Sequence, residues 1–193
     1  GCACAGYRIG TWRGVAQALD APGPARSWFA GAGRSIADAL RVNVFMSHAA
    51  YMEDGSRSTG GHPSCVVTPT APTVAGGLRS RMPAPRDLLA AVASGYDVFL
   101  RVGERAYPAI VERGFQSTAV LAPIASAAAV ARLLRLSETQ TMHALAIAAE
   151  ARAAGFGGIN TVARITGIAR STIGRGLAEL RGGELYVCDA DGR

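Results

Sequence analysis

The 193 residues suit one domain of ordinary size with a small appendage, and a hydrophobic content of 49% can supply a sizeable core. The formal charge of +6 is carried by arginine alone, since no lysine occurs among these residues, which excludes a lysine nucleophile, Schiff base or proton donor within them. The longest uncharged apolar run, Thr118 to Ala131, contains Pro123 and falls short of the about 20 residues a membrane span needs, so no membrane partner is expected. Cys2, Cys4, Cys65 and Cys188 form no CxxC pair and no zinc spacing. They read as buried or incidental thiols of a cytoplasmic protein, with no metal and no cofactor expected. The first residues, GCACAGYRIG, lack a basic flank and an initiating methionine, so no signal peptide is expected and further sequence is expected upstream.

In chain order, Trp12, Val15, Ala16 and Leu19 recur at helical spacing, and the Asp20-Ala21-Pro22 step ends that run. The two prolines of APGPARSW, 21–28, mark a loop. Ser35 opens a longer helical segment, SIADALRVNVFMSHAAYM, through Met52. Glu53 and Asp54 are expected to close it. A loop rich in glycine and serine follows, and His62 precedes Pro63. Carboxylates and a histidine around a loop are the ingredients of general acid–base catalysis, because imidazole titrates near neutral pH. A lone His-Pro in a loop also serves purely structural ends, so the spacing alone does not decide.

Pro69 and Pro72 are expected to bracket a turn ahead of a short helix around Val74 to Leu78, and SRMPAPRD, 80–87, is another loop. Arg86 to Val102 predicts an amphipathic helix with Leu88, Leu89, Val92, Tyr96, Phe99 and Leu100 near one face. Gly95 inside it costs about 1 kcal/mol relative to alanine and predicts a close helix contact. Ala125 to Leu136 is an alanine-rich helical stretch that Ser137 ends. Ser137 and Gln140 form a capping box for a second helix whose stripe runs Met142, Leu145, Ile147 and Ala148. Strand signals are nearly absent before residue 150, so the fold class is all-α.

After Glu150 the pattern changes. Val162, Ala163 and Ile165 suggest a short helix, Gly167 a turn, and Ile168, Ile173 and Leu177 the apolar side of a second helix. That second helix carries Arg170, Ser171, Thr172 and Arg175, types suited to phosphates and base edges, and 157–182 holds four arginines against one acid. The segment resembles the N-terminal helix-turn-helix of bacterial insertion-sequence transposases and makes DNA a candidate partner through 157–182. A plain helical hairpin with a solvated arginine face stays open. The tail ELYVCDADGR supplies at most one strand, at Leu185 to Cys188.

Three separated stretches, SIADALRVNVFMSHAAYMEDGSRSTGGHPS, RDLLAAVASGYDVFLRVGE and GFQSTAVLAPIASAAAVARLLRLSETQTMHALAIAA, resemble in order the helical domain of the MmgE/PrpD family. That family includes 2-methylcitrate dehydratase, cis-aconitate decarboxylase and iminodisuccinate epimerase. The resemblance implies a compact all-α domain that pairs with an α+β lid domain and commonly dimerises. Its chemistry is cofactor-free proton transfer next to a carboxylate, on small di- and tricarboxylic acids. By the same resemblance His62 matches a His-Pro motif, Asp54 the last carboxylate before that loop, and Thr118 the threonine of a Gly-Phe-His-x-Thr motif. Arg57 matches a residue able to meet a substrate carboxylate through its forked guanidinium.

The chain also departs from the pattern. Gln116 stands where the family has histidine, Tyr51 and Met52 where an upstream acid is usual, and the family's lysine is absent. The resulting expectation is an incomplete MmgE/PrpD-like helical domain over 1–150, inactive as this chain, followed by a helix-turn-helix-like segment and tail over 151–193. The alternative is a DNA-binding regulator or transposase fragment with 1–150 as passenger or ligand sensor. A homodimer is compatible with either.

Overall fold

The computed structural model describes residues 1–19, 21–29, 31, 33–78 and 83–153, the last three by their backbone alone. Among them are eight helices, α1 (Cys2–Ile9), α2 (Trp12–Ala18), α3 (Ile36–His48), α4 (Ser64–Gly77), α5 (Pro85–Ala106), α6 (Ala109–Glu112), α7 (Ser117–Leu133) and α8 (Glu138–Ala153). The strands β1 (Ala25–Arg26) and β2 (Gly33–Arg34) pair antiparallel between α2 and α3. The domain is all-α apart from this ribbon. No helix among the described residues is long and apolar enough to cross a membrane.

Local signals start the helices. Ser35 Oγ accepts the Asp38 backbone N–H at 3.1 Å at the head of α3. At α8 the box is reciprocal: Ser137 Oγ accepts from Gln140 N–H at 3.3 Å, and Gln140 Oε1 accepts from Ser137 N–H at 3.0 Å.

The centre is built where α5 lies along α7, with α4 against both. Val67, Phe99, Ile110, Leu121, Ala125 and Ala129 are buried there together. Gly95 makes the approach: a Cβ at that position would stand 2.5 Å from Val67 Cγ1 and 3.0 Å from the Ala125 carbonyl oxygen. The helical hairpin of α7 and α8 closes around Ile124 and Ala149, against Val98, Val102 and Leu145. A separate cluster of Trp12, Ala16, Val42 and Met46 seats α1 and α2 on α3.

Three local expectations are corrected. Pro69 and Pro72 do not bracket a turn but sit inside α4, where Pro69 is buried and Pro72 half-buried. Interior proline removes a helix hydrogen bond and costs about 3 kcal/mol in isolation. Here α3, α5 and α7 surround α4, and the burial of ten of its residues outweighs that local preference. The alanine-rich helix expected from Ala125 begins at Ser117 and runs through Pro123, because Gln116 caps it. Finally, α3 stops at His48 instead of continuing to Met52, and Glu53 and Asp54 belong to the loop after it. Tyr51 turns the chain there with φ of 50°, a left-handed conformation uncommon for a residue with a Cβ.

That reversal positions the site. The loop folds on itself through Ser56 N–H donating to Gly61 O at 2.9 Å and Gly60 N–H donating to Ser56 O at 2.9 Å. It then presses onto α5 at Gly61, where a Cβ would stand 2.8 Å from Phe99 Cζ.

Candidate acid–base site

The His-Pro loop is held from two directions. His62 backbone N–H donates to Thr118 Oγ1 at 2.9 Å, which ties the loop to the first turn of α7. Its ring Nδ1 lies 2.8 Å from the Asp54 carbonyl oxygen. A carbonyl can only accept, so Nδ1 carries the hydrogen and a neutral ring keeps its lone pair on Nε2. Nε2 has no hydrogen-bond partner among the described residues, and the side chain is 30% exposed. A neutral ring oriented in this way can accept a proton at Nε2.

The other residues singled out in the sequence take different parts. The Asp54 carboxylate accepts Ser64 N–H at 3.0 Å, capping α4, and Tyr96 O–H at 2.9 Å. Both oxygens are therefore engaged, and its carbonyl sets the His62 tautomer. Tyr96 in turn is pushed up to about 12 by burial and by the hydrogen bond to Asp54, so it holds its proton near neutral pH. Thr118 is buried and touches the site through the His62 backbone. Gln116 Oε1 accepts Ala119 N–H at 2.7 Å, so the amide at the family's histidine position is occupied in capping α7. Arg57 lies exposed on the loop. Arg170, Ser171, Thr172 and Arg175 lie outside the described residues, as does all of 157–182.

Behind His62 stand His48 and Cys65, which no sequence signal singles out for chemistry, and Glu53, which is expected at the end of a helix. The turn at Tyr51 returns Glu53 beneath the end of α3, where Glu53 Oε1 meets His48 Nδ1 in a close hydrogen bond. The same oxygen lies 4.0 Å from His62 Nδ1. The Glu53 side chain is 2% exposed, and its Oε2 is buried without a hydrogen-bond partner among the described residues. The His48 and His62 rings stand 5.5 Å apart by centroid, and Tyr51 packs on both, at 4.6 and 6.0 Å. Cys65, in the first turn of α4, donates its thiol to His62 O at 3.1 Å. Burial, then Glu53 and Asp54, push that thiol up to about 12. His48, Glu53 and Cys65 bring one ligand atom each to within 4.8 Å of one another. The five-residue separation of His48 and Glu53 fits no helix face, which is why periodicity does not find them.

The ordered features, a His-Pro loop pinned to the Gly-Phe-x-x-Thr turn across an alanine-rich helical core, can now be set beside known families. Residues 1–161 match the model of the MmgE/PrpD N-terminal domain. The chain belongs to the MmgE/PrpD family. The matched region extends past Glu150, as does α8. No curated protein and no solved structure matches the chain. Within this MmgE/PrpD domain a concavity of about 550 Å³ is lined by Ser94, Asp97, Ala128, Arg132 and Leu145 and shares no residue with the His62 site. It opens about 15 Å further along α7 than Thr118, at 1.5 Å per helical residue.

Proposed function

We propose that this chain carries the base-bearing part of a cofactor-free acid–base site for small di- or tricarboxylic acids, of the 2-methylcitrate dehydratase kind, and that these 193 residues alone perform no net turnover. The observation behind the reading is His62, whose Nδ1–H is committed to the Asp54 carbonyl while Nε2 has no hydrogen-bond partner among the described residues. Such a ring can remove a proton next to a substrate carboxylate, with Arg57 on the same loop as the partner for a carboxylate.

Elimination or epimerisation also needs a donor on the far side of the substrate. A carbon chain held between two rings requires about 7 Å, two contacts of about 3.5 Å each. The 5.5 Å between the His48 and His62 rings leaves no such space, so both imidazoles serve one side. At the head of α7 stands Gln116, whose amide does not titrate and already caps the helix. No lysine is present to take its place.

Two measurements test the reading. Citrate titrated into the protein should shift the His62 ring resonances, and Arg57→Ala should weaken that response; unchanged resonances at saturating citrate would sink the binding claim. Incubation with 2-methylcitrate, cis-aconitate or iminodisuccinate should leave each intact. Turnover by the parent chain that disappears in His62→Ala would show that the donor is present after all.

A further inference from the structure

We propose that His48, Glu53 and Cys65 form a binding site for a divalent transition-metal ion of the zinc class. Three separate pieces of chain bring three donor types together: an imidazole at the last residue of α3, a carboxylate after the Tyr51 reversal, and a thiol in the first turn of α4. Their ligand atoms lie within 4.8 Å of one another. Zinc bonds of about 2.0–2.3 Å place neighbouring tetrahedral donors about 3.5 Å apart, so the set closes on an ion with side-chain adjustments of about 1 Å.

The independent observation is Glu53 Oε2. It belongs to a side chain that is 2% exposed, and it has no hydrogen-bond partner among the described residues. A buried carboxylate oxygen without a donor is costly, and a cation is the partner that satisfies it. Glu53 Oε1 and His48 Nδ1 are hydrogen-bonded to each other, and an ion bound between them takes the place of that hydrogen, which moves to Nε2 of the neutral His48 ring. Sulfur and imidazole nitrogen beside one carboxylate select zinc, cobalt or iron(II) over magnesium and calcium, which take oxygen ligands. Three protein ligands leave a fourth position for water. Coordination replaces the Cys65 S–H bond with a metal–sulfur bond and releases that proton to solvent. Without the ion, burial and the two neighbouring carboxylates keep the thiol protonated; the charge of the ion reverses that balance. The site does not depend on the proton-transfer reading above. It also departs from the expectation of no metal, which rested on cysteine spacing.

The test is cobalt(II) titration of the reduced, full 193-residue protein. One equivalent should produce a thiolate-to-cobalt charge-transfer band and tetrahedral visible absorption, displaced by zinc(II), with one proton released per ion. Cys65→Ser should abolish the charge-transfer band, and Glu53→Gln should weaken binding at least about tenfold. The triple variant Cys2→Ser/Cys4→Ser/Cys188→Ser should keep the band, since Cys65 is then the only thiol. If Cys65→Ser does not fold, the triple variant decides: a retained band supports the site and a lost band overturns it. A band that survives in folded Cys65→Ser, or no cobalt binding by the parent protein, also overturns it.

Discussion

The interface of α5 with α7 and the loop between α3 and α4 are built on opposite terms. In the interface Phe99, Leu121, Ala125 and Ala129 are buried together, and Gly95 and Gly103 leave out side chains that would hold the helices apart. In the loop Tyr51 adopts a left-handed conformation, and Glu53 Oε2 and Thr59 Oγ1 are buried without partners. A helical core reaches low energy by satisfying every group locally. A left-handed residue and two orphaned polar atoms within nine residues mark a segment whose local preferences are overruled by its surroundings. The loop is nevertheless fixed by the core, since Gly61 rests on Phe99 and His62 hangs from Thr118.

This contrast can be broken by substitution. The largest effect is expected from Phe99→Ala, which empties the point where core and loop meet and should lower unfolding stability by about 3–5 kcal/mol in urea titration. It should also loosen the His62 loop, seen as faster amide exchange at Gly61 and His62. A loss below about 1 kcal/mol would mean the loop carries its own stability.

Alkaline titration is expected to rank next. The Cys65 thiol has an ordinary value of 9.0 and is raised to about 12 in the fold, and Tyr96 goes from 10.0 to about 12. For a group raised on folding, the unfolded chain loses its proton first. The contribution is therefore complete below about pH 9 and declines as pH rises through about 12. Stability should fall across that window, and Cys65→Ala should flatten the fall; equal slopes for parent and variant would remove Cys65 from the account.

Gly95→Leu should cost about 2–3 kcal/mol by overpacking, as a shift of the urea midpoint, because Val67 and the Ala125 backbone stand where the new side chain must go. Ser137→Ala deletes one half of the α8 capping box and should cost about 1 kcal/mol by the same measurement. The smallest expected effect has the opposite sign. Tyr51 is 70% exposed, so Tyr51→Gly loses little burial and relieves the left-handed strain, for a gain of about 0.5 kcal/mol in thermal melting. A loss of more than about 1 kcal/mol there would show that the Tyr51 ring over His48 and His62 holds the loop together.

Much of the helical frame was legible residue by residue. Ser35 and Ser137 announce helix starts through side chains that reach only three residues, Gly95 announces a close contact, and alanine and leucine spacing marks the buried faces. These are short-range rules, and the sequence by itself determined the all-α class and the His-Pro and Gly-Phe-x-x-Thr motifs. The tertiary structure alone decided three further things. It kept α4 helical through Pro69 and Pro72, because burial on several sides outweighs a local preference. It made Gln116 the cap of α7 and set Thr118 Oγ1 against the His62 backbone N–H, because α7 starts at Ser117. And it gathered His48, Glu53 and Cys65, which share no periodic face, through a reversal at Tyr51 whose positive φ no composition rule foretells for tyrosine. The division has a physical cause: hydrogen bonds and side-chain spacing within a helix span a few residues, whereas a site assembled from the end of one helix, a turn and the start of another exists only once the core has fixed all three.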